Sequence, residues 1–155
     1  PKILIADEPT TALDVTVQAQ IFDLLRDLRR DTGTSIIMIT HDMGAVAEMA
    51  ERMIVMYAGR HAEIGLVDQI IDHPRHPYTK GLISCVPHIV ANLTEERHDL
   101  TEVPGIVPSL QEFGKNRCLF ASRCNLRTDE CLRERPPARE FENGQKADCW
   151  HAEEL

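Results

Sequence analysis

A chain of 155 residues that is 43% hydrophobic and 27% charged has the composition of a packed globular protein and not of a disordered one. Its net charge of −8 argues against sequence-independent nucleic-acid binding, which needs clustered Lys and Arg to displace counterions. No apolar run approaches the ~20 residues of a membrane-spanning helix, so any membrane association must run through a partner protein.

Residues 2–7, Lys-Ile-Leu-Ile-Ala-Asp, form a short apolar run that ends in carboxylates. This pattern predicts a central parallel strand buried on both faces. A core strand this near Pro1 leads us to expect that an upstream part of the same domain is missing. Residues 15–31 place Ile21, Leu24, Leu25 and Leu28 at helical spacing, with Asp14 as the N-cap and Gly33 as the stop signal. Residues 35–40, Ser-Ile-Ile-Met-Ile-Thr, predict a second buried strand. The order strand, helix, strand is one crossover of a parallel α/β sheet.

Residues 42–50 predict a short helix with Met43, Val46, Ala47 and Ala50 inward. Residues 52–58 and 60–64 predict an antiparallel hairpin turning at Gly59, followed by a short helix over 66–72. Two prolines within His73–Pro77 break the chain direction and set a boundary between residues 1–73 and 74–155. Beyond it, 78–85 suits one short helix with Cys85 as a small core residue. Residues 87–117 show little periodicity, and 118–155 hold few large apolar residues. A segment of ~40 residues seldom builds a sufficient core unaided, so a staple is expected there.

The chemistry concentrates at Asp7-Glu8, two adjacent carboxylates where a buried strand ends. In open α/β sheets ligands sit at the carboxyl ends of strands. Asp7 is placed to hold Mg²⁺, a cation that prefers hard oxygen ligands. Glu8 beside it is placed to orient and deprotonate an attacking water. Asp-Glu-Pro alone would fit a solvated turn equally well. Two features shift the balance. Thr11-Ala12-Leu13-Asp14 follows at once, and His41 stands at the end of the next parallel strand, beside the first.

Together these segments resemble the ATP-binding cassette (ABC) ATPases. Ile3-Leu4-Ile5-Ala6-Asp7-Glu8-Pro9 is similar to their Walker B strand, Thr11-Ala12-Leu13-Asp14 to their D-loop with Thr in place of the usual Ser, and His41 to their switch histidine. The resemblance implies a partial P-loop NTPase fold in which Asp7 assists Mg²⁺-ATP, Glu8 is the general base, His41 senses the γ-phosphate and Asp14 communicates across a dimer of two ATPase subunits. The Gly-rich phosphate loop, glutamine loop and Ser-Gly-Gly-Gln signature of that family have no counterpart here. They precede the Walker B strand in the family, so the resemblance implies that this segment alone does not hydrolyse ATP.

Residues 73–87, with His76-Pro77-Tyr78-Thr79 as their recognisable core, and Pro104-Gly105-Ile106-Val107-Pro108-Ser109-Leu110 resemble an extension found after the ATPase core in oligopeptide and dipeptide importers. For the two histidines themselves, a proline-rich turn without chemistry is the favoured reading. The resemblance implies an energy-coupling subunit, on the cytoplasmic face of the membrane, for import of peptides or of nickel and related solutes. Its partners would be a second, identical or different, ATPase subunit, transmembrane permease subunits and, indirectly, an extracytoplasmic solute-binding protein. No nucleic acid is expected. Two other classes remain open: a soluble ABC ATPase of DNA repair or translation, and a stand-alone metal-binding regulatory module.

The cysteines cluster as Cys118-x5-Cys124-x6-Cys131-x17-Cys149. This is neither the spacing of a zinc ribbon nor that of a bacterial ferredoxin, but four thiolates can converge across longer loops. A [4Fe-4S] cluster, a Zn(Cys)₄ site, and free or disulfide-bonded thiols are all compatible with the count. The resemblance to peptide importers favours the [4Fe-4S] cluster, with a stapling role for the tail.

Overall fold

The computed structural model describes residues 1–86 and 103–155, and the chain divides into two compact units, Pro1–Glu51 and Arg52–Leu155.

In the first unit, strand β1 (Ile3–Asp7) pairs in parallel with β2 (Ser35–Ile39), in register from Ile3 opposite Ser35 to Asp7 opposite Ile39. Helix α1 (Val15–Thr32) joins them. The Asp14 carboxylate accepts from the backbone N–H groups of Thr16 and Val17 at 2.9 and 3.0 Å, satisfying two of the donors that every helix start leaves open. Gly33 closes the helix at φ +66°, its N–H reaching Arg29 O at 2.9 Å, and the left-handed backbone there suits a residue without Cβ. Arg29 and Arg30 in the last turn oppose the negative end of the helix dipole.

Three expectations change in this unit. The inward stripe of α1 is Ile21, Phe22, Leu25 and Leu28, with Phe22 and Leu25 buried, while Leu24 is 63% exposed. Two strands and two helices also cover one sheet face only. Leu4, Ala6, Ile36 and Met38 are half-buried, whereas Ile3 and Ile5 are 58% and 64% exposed. The double-sided burial expected of β1 is therefore not found. Helix α2 (Met43–Met49) is capped by Asp42, which accepts from Gly44 and Ala45 N–H at 2.8 and 3.2 Å. Its buried residue is Ala45, and Ala47, expected inward, is exposed.

The second unit is built on a four-stranded antiparallel sheet of order β3-β4-β6-β5. Strands β3 (Arg52–Tyr57) and β4 (Arg60–Leu66) form the expected hairpin. Its two turn residues, Ala58 and Gly59, both have positive φ, 48° and 75°, the mirror-image turn whose twist matches antiparallel strands. Helices α3 (Val67–Asp72) and α4 (Pro77–Ser84) follow. In α4, Pro77 occupies a first-turn position where its missing N–H is harmless. Single 3₁₀ turns at Leu110–Glu112 and Ala121–Arg123 lead to helix α5 (Asp129–Arg133), then to strands β5 (Ala138–Glu140) and β6 (Lys146–Asp148). The tail expected to be irregular thus adds two strands to the sheet, Glu63 pairing with Ala147 and Ile64 with Lys146. Cys85, expected in the core, is the half-buried C-cap of α4.

Two clusters hold this unit together. Tyr57 of β3, Tyr78 of α4 and Phe120 of the tail meet with ring centroids 4.6 to 5.5 Å apart, in the tilted and edge-on geometries that aromatic quadrupoles favour. The other cluster surrounds Glu63 of β4, whose side chain has no exposed surface. Its carboxylate accepts from Arg75 N–H at 2.7 Å, His76 N–H at 3.1 Å and the Gln145 amide at 2.6 Å, with the Thr79 hydroxyl alongside. The same Gln145 amide also donates to His73 O at 2.9 Å. Burial pushes the Glu63 carboxyl up from its ordinary range, and these donors oppose that push.

Removing the Glu63 acceptor leaves two backbone N–H groups without partners and takes one of the two acceptors from the Gln145 amide. Glu63→Ala is expected to lower unfolding stability by about 3 kcal/mol, and Glu63→Gln, which keeps one carbonyl acceptor, by roughly half as much. Urea denaturation followed by Trp150 fluorescence checks both, and a loss below about 1 kcal/mol for Glu63→Ala would remove the network from its central place.

Candidate functional site

The candidate site of the first unit stands where β1 and β2 end. The ladder continues one residue past β1, with Glu8 N–H donating to Ile39 O at 2.8 Å. Glu8 itself then turns into left-handed backbone at φ +50°, a conformation that non-glycine residues adopt mostly where surrounding contacts impose it. The turn takes the Glu8 side chain off the strand pleat. One carboxylate oxygen meets His41 Nδ1 at 2.9 Å, and the other accepts from the Thr11 hydroxyl at 2.6 Å. Thr11 N–H donates back to Glu8 O at 3.2 Å, closing the loop between the strand and α1.

His41 is positioned by its neighbours on either side. Ile39 before it is locked in the ladder, and Asp42 after it caps α2 and accepts from the Gln18 amide at 3.2 Å. Asp7, in register with Ile39, lies at the same rim on the strand face of Ile3 and Ile5; it is exposed and has no side-chain hydrogen bond among the described residues. An exposed, unengaged carboxylate of this kind suits a hard cation such as Mg²⁺. Asp14 has both helix-capping bonds and leaves its second oxygen free of partners among the described residues. The structure brings Glu8 and His41 into contact and puts Asp7 at the same strand ends.

The contact sets the charge of the pair. The hydrogen bond from His41, with Thr11 second, holds the Glu8 carboxyl below its ordinary range, and the hydrogen bond with Glu8 raises the His41 imidazole above its usual value. Both groups face solvent, so the coupling is one of direct contact and not of burial.

The cysteine tail gives a different outcome. Cys131 and Cys149 are buried, Cys118 and Cys124 half-buried, and all are free thiols. They share one neighbourhood: Cys118 N–H donates to Cys131 O at 3.0 Å, and a charge on one sulfur disfavours a charge on the others. Backbone N–H groups point at three of the sulfurs, from Phe120 and Ala121 to Cys118, from Leu126 to Cys124, and from His151 to Cys149. Burial pushes the thiols of Cys118 and Cys124 up and that of Cys149 to about 12. Among the described residues, however, no three His, Cys, Asp or Glu side chains are placed to hold a metal ion. The expected four-cysteine ligand set is present as a neighbourhood and is not assembled into a coordination site.

His76 lies in the proline-rich bend before α4, where it is buried and its Nδ1 accepts from Tyr78 N–H at 3.0 Å as the N-cap of that helix. Burial pulls its pKa down to about 4, so the ring is neutral at physiological pH. Glu63, the partner of its backbone, carried no motif; the only signal was a carboxylate amid the apolar residues of a strand.

Residues 62–131 match the family described as the oligopeptide/dipeptide transporter, C-terminal region. The chain is 49% identical over 150 residues to an oligopeptide transport ATP-binding protein of Haemophilus influenzae, covering 97% of this chain and 45% of that protein. It is 46% identical over 155 residues to a probable peptide ABC transporter ATP-binding protein of Sinorhizobium fredii, covering 100% of this chain and 45% of the relative. A putative peptide import ATP-binding protein of Brucella abortus is 49% identical over 136 residues, 88% of this chain and 40% of that protein. The chain therefore spans less than half the length of the curated relatives it matches.

The pair at the rim has a pH signature. Protonated His41 and ionised Glu8 attract each other between the lowered pKa of the acid and the raised pKa of the base, and the attraction fades as pH rises through the latter. An NMR titration is expected to place the His41 pKa above the 6.5 of a free imidazole, and Glu8→Gln is expected to bring it back toward that value. An unchanged His41 titration in the variant would show that the two side chains do not meet in solution.

Proposed function

The chain belongs to the family of oligopeptide/dipeptide transporter ATP-binding proteins, and from that premise we propose that it is the portion of an ATP-hydrolysing importer subunit that carries the catalytic carboxylate and the switch histidine. The observation that carries the reading is the Glu8–His41 contact at the end of two parallel strands, with Asp7 at the same rim. Glu8 is the base that orients and deprotonates the attacking water, and the contact with His41 holds its carboxylate ionised for that task. Asp7 holds Mg²⁺, which supplies charge neutralisation for the transferred phosphoryl group. His41 turns its N–H toward the γ-phosphate, and Asp14, at the start of α1, faces the second ATPase subunit across the nucleotide.

In this reading the subunit works at the membrane together with permease subunits; no helix among the described residues is long and apolar enough to cross one. Peptides are the favoured cargo, because the relatives are named as peptide and oligopeptide transport proteins; nickel or a related solute is the alternative. The four cysteines add a metal to this reading. Four thiols in one neighbourhood, with backbone N–H groups on three sulfurs, fit an iron-sulfur cluster or zinc in donor chemistry. Cys118, Cys124, Cys131 and Cys149 would hold it, and it would staple the tail.

In the complete subunit, Glu8→Gln is expected to lower ATP turnover by about 100-fold or more while leaving ATP binding intact. Turnover is read by phosphate release and binding by a fluorescent nucleotide; retained turnover would take the base role from Glu8. For the tail, protein purified without oxygen is expected to be brown, with visible absorption lost on Cys131→Ser. Colourless protein with one equivalent of zinc by elemental analysis would replace the cluster by zinc, and colourless metal-free protein would overturn the metal reading.

A further inference from the structure

The second unit contains a cavity of about 30 Å³ between the β3–β4 hairpin and the cysteine tail. Its charged lining is Arg60, Arg117 and Arg135 against Asp148, with His61 and His76 also in the wall. This is a local excess of positive charge in a chain whose net charge is −8. Two of the arginines are only partly engaged. Arg117 donates through one nitrogen to Glu112 at 2.7 Å, and Arg135 through one nitrogen to Asp148 at 3.2 Å. The Arg60 guanidinium is held by the carbonyls of Phe113 and Lys115, at 2.5 and 3.2 Å, so it contributes charge more than free donors. His61 Nδ1 stands 3.3 Å from Asp148.

His76 adds a ring to the same wall. Only 4% of its surface is exposed. Its Nδ1 is occupied as the acceptor of Tyr78 N–H, so the neutral ring must carry its proton on Nε2. That N–H has no partner among the described residues, and the ring lines the cavity. The cavity holds donors in excess of acceptors, the composition that a small anion completes, and it is far too small for a nucleotide.

We propose that this cavity is a binding site for a small tetrahedral oxyanion of the phosphate class, held by Arg117, Arg135 and the Nε2–H of His76. The His-Pro-Arg-His-Pro-Tyr segment thereby acquires two tasks. The backbone of Arg75 and His76 locks onto Glu63, and the His76 ring both caps α4 and presents a donor to the ion. The site belongs to the second unit and stands without the proposed ATPase role of Glu8 and His41.

The test is isothermal titration calorimetry of the protein with sodium phosphate and with sodium sulfate, against sodium chloride at matched ionic strength. A saturable heat with either oxyanion and none with chloride is expected. Arg117→Gln and Arg135→Gln, both at half-exposed side chains, are each expected to weaken binding by about 10-fold, as loss of a charge-assisted contact does. His76→Asn keeps an acceptor for Tyr78 N–H but loses the donor to the cavity, and should weaken binding comparably; if it fails to fold, the two arginine variants decide. Absence of a saturable signal, or binding undiminished in both arginine variants, would overturn the proposal.

Discussion

The second unit depends on a single buried carboxylate. Glu63 lies in β4, yet each of its donors comes from elsewhere: two from the backbone after the His73-Pro74 break and one from Gln145 just before β6. A carboxylate that has lost its water is tolerable only if its lone pairs are filled, and filling them requires three separate segments to converge. The constraint explains why the chain can change direction through two prolines there without fraying. It also explains how a tail with little apolar bulk is held: Gln145 docks on Glu63, and the two short strands beside it complete the sheet. The aromatic meeting of Tyr57, Tyr78 and Phe120 joins the same three segments by dispersion and burial. The tail therefore has a hydrogen-bonded staple that does not depend on its cysteines.

The first unit shows the opposite economy. Its rim residues are solvent-facing, and their order comes from secondary structure. The parallel register places the ends of β1 and β2 level, the left-handed turn at Glu8 swings a carboxylate across the gap, and Asp42, the residue after His41, is pinned as the cap of α2. A carboxylate and an imidazole are thereby held in contact while Asp7 stays exposed at the same rim, an arrangement that suits the proposed phosphoryl-transfer role.

Much of this was legible from local rules. Asp14 and Gly33 bracket α1 as capping chemistry predicts, and the hairpin turns at Gly59 as expected, although Ala58 shares the positive φ. The rim could be read because alternation, strand order and strand ends are properties of a few consecutive residues. Errors arose where a residue's environment is made by distant chain. Leu24 satisfies the helical stripe yet faces solvent while Phe22 is buried, because the strands it packs on set the inward direction. Ile3 and Ile5 look like core residues and are exposed, because a strand is buried on both faces only when something lies on each.

The sequence by itself determined the elements from β1 to α4, the caps of α1, the family and the residues gathered at the rim, since each rests on side-chain chemistry within about one helix turn or one strand of its neighbours. Only tertiary structure decided that Glu63 is a hub, that His76 is a buried neutral cap, and that β5 and β6 enlarge the sheet. Glu63 and Gln145 are 82 positions apart in the chain. No periodicity links residues at such a separation, because what joins them is the need of one desolvated carboxylate for donors, and that need exists only once the chain has closed around it.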